Sequence, residues 1–178
     1  MPYEGKLYEL FKYKSLRCNL LITTVAWMVM TLGYYIINLV LKYLNGNIFT
    51  NSYTTACGEI IGKLTAGFCI IRIGLKKMYL LAFGLAILGA VLMIVFAEYG
   101  TLIPYCVFIS KLGYSMGFVG CYFNIVLLFP TILKSSSMGF CNIFGRIAGI
   151  FAPFIAELVP PINLLILLAC TAIALLLS

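Results

Sequence analysis

The sequence predicts an all-α membrane protein with six transmembrane helices. Three observations carry that prediction. Of the 178 residues, 63% are hydrophobic and 10% charged, whereas a soluble domain carries about 25% charged residues. The mean hydropathy is +1.11. The apolar residues gather into six runs, most of them near or above the ~20 residues needed to cross ~30 Å of hydrocarbon. Finally, the loop cations alternate between the two ends of those runs.

The first 18 residues mix Lys6, Lys12, Lys14 and Arg17 with Leu7, Leu10, Phe11 and Leu16. Leu7, Leu10 and Phe11 have helical spacing, and Lys14 ends the stripe. This segment is expected to form a helix at the cytoplasmic membrane surface. It is not a cleavable signal, since the apolar run after it is too long and lacks a small-residue cleavage site.

The half-domain over 19–178 holds spans at about 19–44, 51–73, 78–97, 102–129, 137–158 and 162–177. Asn45-Gly46-Asn47 is a turn signal after the first. Gly74 ends the second, and Lys76-Lys77 follow it. Glu98-Tyr99-Gly100 separates the third from the fourth, where Pro104 suits a first helical turn. Pro130 ends the fourth, Ser135-Ser136-Ser137 is expected to cap the fifth, and Pro160-Pro161 closes it. Gly145 with Gly149, Ala148 with Ala152, and Ala82-Ala86-Ala90 mark faces where helices approach closely.

The N-terminal segment and the loops after the second and fourth spans carry the cations Arg72, Lys76, Lys77 and Lys134. The other loops lack Lys and Arg, apart from Lys42 near the end of the first span, which can snorkel outward. Both termini are therefore expected in the cytoplasm. The net charge of +7 reflects this topology rather than a nucleic-acid surface.

The chain has no His and no Asp, which excludes His-based metal sites, His–Asp relays and aspartate-rich cation sites. Its seven Cys are scattered without CxxC spacing. No metal or cofactor is implied. An enzyme is not expected: Ser110 and Lys111 are neighbours on a helix and do not face each other. No span shows the repeated polar stripe of a channel.

Four ionisable residues nevertheless lie deep in the spans: Glu59, Lys63, Lys111 and Arg146. A charge at mid-membrane costs about 2.5–3.5 kcal/mol on insertion scales, so its default reading is functional. Glu59 and Lys63 are four apart, the favourable order for a helical pair. Lys111 and Arg146 have no acidic partner close by in their own helices. With Glu59 the only deep acid, at least two cations are expected to lack a protein counter-ion. Three cations inside the spans point to an anionic ligand. The aromatics Tyr34, Tyr35, Phe118 and Tyr122 are candidate contacts for its apolar body, or simple packing.

Leu10-Phe11-Lys12, Leu16-Arg17, Trp27, Tyr34-Tyr35, Asn45-Gly46-Asn47 and Glu59 follow one another in an order that resembles the organic cation/anion transporters of the major facilitator superfamily. So do Phe129-Pro130-Thr131, Lys134, Met138-Gly139, Arg146, Gly149 and Ala152-Pro153. Arg72, Gly74, Lys76 and Lys77 are similar to that family's basic loop. The resemblance implies a six-helix half-bundle of two inverted three-helix repeats, namely the C-terminal half, with substrate bound between two halves. It also implies roles: Lys63 and Arg146 at positions where organic-anion members carry cations, Lys111 at the family's helix-ten lysine, Tyr34, Tyr35, Phe118 and Tyr122 around the substrate, and Glu59, Arg72, Lys76, Lys77 and Lys134 in charge pairs that gate the cycle. It departs from the family at Leu127, Leu75 and Ile61, where Glu, Arg and Pro are usual, and at Lys134, where an Arg is usual. The expected function is alternating-access transport of small organic ions, anions above all, at the plasma membrane. The expected partners are the bilayer, the substrate and a missing N-terminal half, a second copy or a partner chain. The alternative is a truncated or partner membrane subunit that does not transport.

Overall fold

A computed structural model describes residues 7–44, 47–158 and 162–177. Among them there is no strand. The helices are α1 (Leu7–Lys12), α2 (Lys14–Val40, continued by a 3-10 turn, Leu41–Tyr43), α3 (Ile48–Ile73), α4 (Leu75–Val95), α5 (Ile103–Leu128), α6 (Thr131–Ala156) and α7 (Ile162–Leu177).

The helix pairing has a two-fold logic. α2 packs on α6 and α7, while α5 packs on α3 and α4. The first helix of each three-helix unit thus sits on the second and third helices of one unit or the other in an exchanged pattern, with α2 and α5 also touching at the centre. Small residues permit this. Ala82, Ala86 and Ala90 are all buried, and Ser110 of α5 donates to the Ala86 carbonyl at 3.4 Å. A Cβ added at Gly62 would lie 2.8 Å from the Leu112 carbonyl oxygen. α3 and α5 therefore touch backbone to backbone.

Among the described residues, four helical stretches are long and apolar enough to cross a membrane: Lys14–Tyr43, Leu75–Val95, Ile103–Leu128 and Thr131–Ala156. α7 is apolar but has 16 residues. α3 has 26, ample length at 1.5 Å per residue. It carries Glu59, Lys63 and Arg72, which lower its apolar content.

The helix ends differ from the sequence expectations in places. The N-terminal helix is not one surface element up to Arg17. Tyr13 is extended (φ −95°, ψ 123°) and separates α1 from α2. Leu10 of α1 is buried, and the Phe11 ring meets Phe140 of α6 edge-on at 5.6 Å, so α1 docks on the bundle. The three serines do not cap α6. That helix starts six residues before Ser137, with Pro130 at its N-cap, and Ser137 instead donates to its own Leu133 carbonyl at 2.9 Å. A proline fixes φ and needs no partner for a missing N–H, so it can open the helix without a side-chain cap. Asn47 accepts from the Phe49 amide at 2.9 Å and caps α3. Asn45, Gly46, Pro160 and Pro161 lie outside the described residues. Gly74 has φ 84°, a conformation that side chains resist, and this lets α4 begin one residue after α3 ends.

Candidate functional site: a cationic, aromatic-lined cleft

α3 leans on α5 and α6 leans on α2. A cleft opens between them, floored by α2 and α5. It holds two adjoining cavities of about 500 and 220 Å³. Thr31, Tyr35 and Phe118 line both.

The floor is aromatic. Trp27, fully buried, lies 4.7 Å from the Tyr122 ring and 5.9 Å from that of Phe118. Phe118 continues to Tyr34 at 6.2 Å, and Tyr34 to Tyr35 at 5.6 Å in an edge-on pair. These separations are those of favourable tilted and edge-to-face ring pairs. The row is continuous because Trp27 fits where α6 has no side chain: a Cβ at Gly145 would lie 2.7 Å from Trp27 Cδ1. Gly149 likewise leaves room for the Tyr35 ring.

The walls carry charge. Arg146, on α6, is exposed on the wall of the larger cavity. Among the described residues no carboxylate lies within ion-pair distance of it. Lys63, on α3, lines the smaller cavity, its side chain 50% exposed, and pairs with Glu59 Oε1 at 2.5 Å.

Lys111 behaves otherwise. The expectation that it lacks a deep acidic partner is corrected by the structure. Its side chain is fully buried, and its Nζ lies 3.8 Å from Glu59 Oε2. That ammonium also donates to Asn38 Oδ1 at 3.0 Å and sits 3.3 Å from the centroid of the Tyr34 ring, a cation–π contact. Tyr34 donates its hydroxyl to Glu59 Oε2 at 2.8 Å. Glu59 thus serves two lysines and a tyrosine, and three helices meet at one carboxylate. A salt bridge could form here despite the sequence separation because Gly58 and Gly62 bring α3 against α5, placing Lys111 beside Glu59.

Six of the seven residues predicted around a ligand line the cleft: Lys63, Arg146, Tyr34, Tyr35, Phe118 and Tyr122. Lys111 does not. Sequence reasoning passed over Thr31, Ser115, Asn142 and Asn38. Thr31 and Ser115 border the cavities, but their hydroxyl oxygens are buried and have no hydrogen-bond partner among the described residues. The predicted gating cations stand apart from the cleft. Arg72 lies over the Phe68 ring at 5.2 Å. Lys76 lines a separate cavity of about 330 Å³ between α2, α4 and α5. Among the described residues, Arg72, Lys76, Lys77 and Lys134 form no ion pair. The cleft therefore presents two cationic side chains, Lys63 and Arg146, beside a row of aromatic rings. Among the described residues no cluster of metal-binding side chains is present.

No protein-family model matches the chain. Human solute carrier family 22 member 13 is 28% identical to it over 155 residues, which is 85% of this chain and 28% of that protein. The organic cation transporter-like protein of Drosophila melanogaster is 29% identical over 97% of this chain and 31% of its own length. The rat organic cation/carnitine transporter 2 is 23% identical over 88% of this chain. The chain spans under a third of the length of these curated relatives. These relatives are transporters, and with the apolar helices they mark this chain as part of an integral membrane protein. The chain is a relative of the organic cation and carnitine transporters and of solute carrier family 22, alike along most of its own length.

Proposed function

We propose that this chain is the C-terminal half of an alternating-access transporter and that the cleft binds small organic anions. Arg146 carries this reading: an exposed guanidinium on the wall of a cavity inside an apolar bundle, with no carboxylate beside it among the described residues. A charge so placed requires compensation, and an anionic ligand supplies it. Lys63 adds a second cation, and the aromatic row takes the apolar body. The relatives' names speak of organic cations and carnitine; the anion preference rests on the cleft's own charges. In this reading α3 and α7 cross the membrane with the other four, both termini face the cytoplasm, and the protein works at the plasma membrane. An N-terminal half would cover the open side of the cleft, where Ile60 and Leu64 of α3 and Ile143 and Ile147 of α6 are exposed. A second copy or a partner subunit would cover the same apolar rims, and this is the reading to adopt if the chain acts without a first half.

The test is uptake by cells expressing the longest natural chain that contains this segment. Benzoate is the anionic probe and tetraethylammonium the cationic one. Arg146→Gln is expected to abolish benzoate uptake at unchanged surface expression, and Arg146→Lys to retain part of it, since lysine keeps the charge and loses the bidentate fork. Benzoate uptake unaffected by Arg146→Gln refutes the anion assignment. Uptake of tetraethylammonium alone shifts the site to cations.

A further inference from the structure

We propose that the Glu59–Lys63 pair is a releasable latch on the anion site: an entering anion takes Lys63 from Glu59, and Glu59 remains compensated by Lys111 and Tyr34. The proposal rests on the cleft being an anion site.

The two oxygens of Glu59 face different partners. Oε1 holds Lys63. Oε2 accepts from the Tyr34 hydroxyl at 2.8 Å and lies 3.8 Å from Lys111 Nζ. The two lysines differ in freedom. Lys111 is fully buried and held by Asn38, Glu59 and the Tyr34 ring. Lys63 is half exposed at the cavity, on a flexible four-carbon stem with rotatable donors. One cation is fixed and the other can leave. When it leaves, Lys63 exchanges one anion for another, and Glu59 loses one of two cations rather than its only one. Half-exposed helical ion pairs are weak, so the exchange is within reach of an ordinary ligand. Glu59 then acts as an internal competitor: it sets how strong an anion must be to bind, and it keeps Lys63 paired while the cleft is empty.

The test uses the full natural protein that contains this segment, purified in detergent, with benzoate binding measured by titration calorimetry and benzyl alcohol as the neutral analogue. E59Q frees Lys63 and is expected to tighten benzoate binding roughly threefold or more, with benzyl alcohol unchanged. K63Q weakens benzoate, and on the K63Q background E59Q changes affinity by less than about twofold, because the pair no longer exists to be broken. Unchanged or weaker benzoate binding by E59Q overturns the latch. So does an equal gain with and without Lys63, which is the signature of a general field rather than a displaced partner. If E59Q does not fold, E59D decides by the same criteria, since it withdraws the carboxylate from Lys63 by one methylene and keeps a negative charge near Lys111. A failed latch with benzoate binding still lost in R146Q leaves the anion site standing. No benzoate binding by the unmodified protein overturns both.

Discussion

Glu59 and Lys111 form a contact whose two halves are not equivalent for stability. Take Glu59→Gln first. Lys111 is fully buried and 3.8 Å from the carboxylate, a separation worth about 4 kcal/mol at an effective dielectric near 20. Removing one partner of a buried pair strands the other, which costs about 3–5 kcal/mol. Asn38 at 3.0 Å and the Tyr34 ring at 3.3 Å remain and offset part of that loss, so about 3 kcal/mol is expected. Now take Lys111→Met. The side chain keeps its length and apolar stem, and Glu59 keeps Lys63 and Tyr34. Its own side chain is 24% exposed, so it is not stranded, and the change should stay within about 1 kcal/mol. The double substitution should recover most of the loss. Thermal unfolding of the purified chain in detergent reads the difference. At about 2–4 °C per kcal/mol for a chain of this size, Glu59→Gln lowers Tm by about 6–12 °C and Lys111→Met by no more than about 4 °C. Equal losses for the two single variants would refute the reasoning, because they would mean that Lys111 contributes through packing and not as a charge that needs Glu59.

Two further substitutions test the frame around the cleft. Gly62→Leu forces a side chain against the Leu112 carbonyl and Ser115; as the obstacle is backbone, α3 and α5 must separate, and a loss of about 3 kcal/mol or more is expected in the same unfolding assay. A Tm within 2 °C of the parent's would contradict that contact. Trp27→Ala removes the ring at the centre of the aromatic row and should destabilise by about 3–5 kcal/mol, while an added aromatic ligand should recover part of the lost Tm by occupying the space. No recovery with indole would argue that the space collapses.

Much of this was legible in the sequence. The apolar runs marked the helices, because that signal is local. The pairing of Lys111 with Glu59 was not legible, because it depends on α3 and α5 meeting at Gly58 and Gly62, a fact of tertiary packing. One signal was present and unused. On α2, Trp27, Thr31, Tyr34 and Asn38 recur at steps of four, three and four, and on α5, Lys111, Ser115, Phe118 and Tyr122 repeat the same steps. That spacing is one helix face. Reading both stripes together would have added Thr31, Ser115 and Asn38 to the aromatic residues and the lysine. The serine cap failed for a different reason: Pro130 can start a helix alone, and serines inside a helix bond back to their own chain, as Ser137 does.

α3 shows why a helix too polar to register as a span can still belong in a membrane bundle. Four of its side-chain hydroxyls are satisfied within the helix itself. Ser52, Thr54, Thr55 and Thr65 each donate to a carbonyl one turn earlier, at 2.7–3.0 Å, and so satisfy themselves within the helix. Its two mid-helix charges neutralise each other and reach toward α2 and α5. Ile60, Leu64, Phe68 and Ile71 are all exposed. The two charges at the middle of α3 are therefore satisfied within the bundle rather than in lipid. The same distribution explains the cleft's chemistry: one acid on α3 is shared by two lysines, Arg146 on α6 is left without one, and the net charge of the four is +2 when summed over Glu59, Lys63, Lys111 and Arg146 (three cations less one anion). In the proposed anion reading, Arg146 on the cavity wall is the part of that excess with no carboxylate beside it among the described residues, and a negative ligand would meet it there.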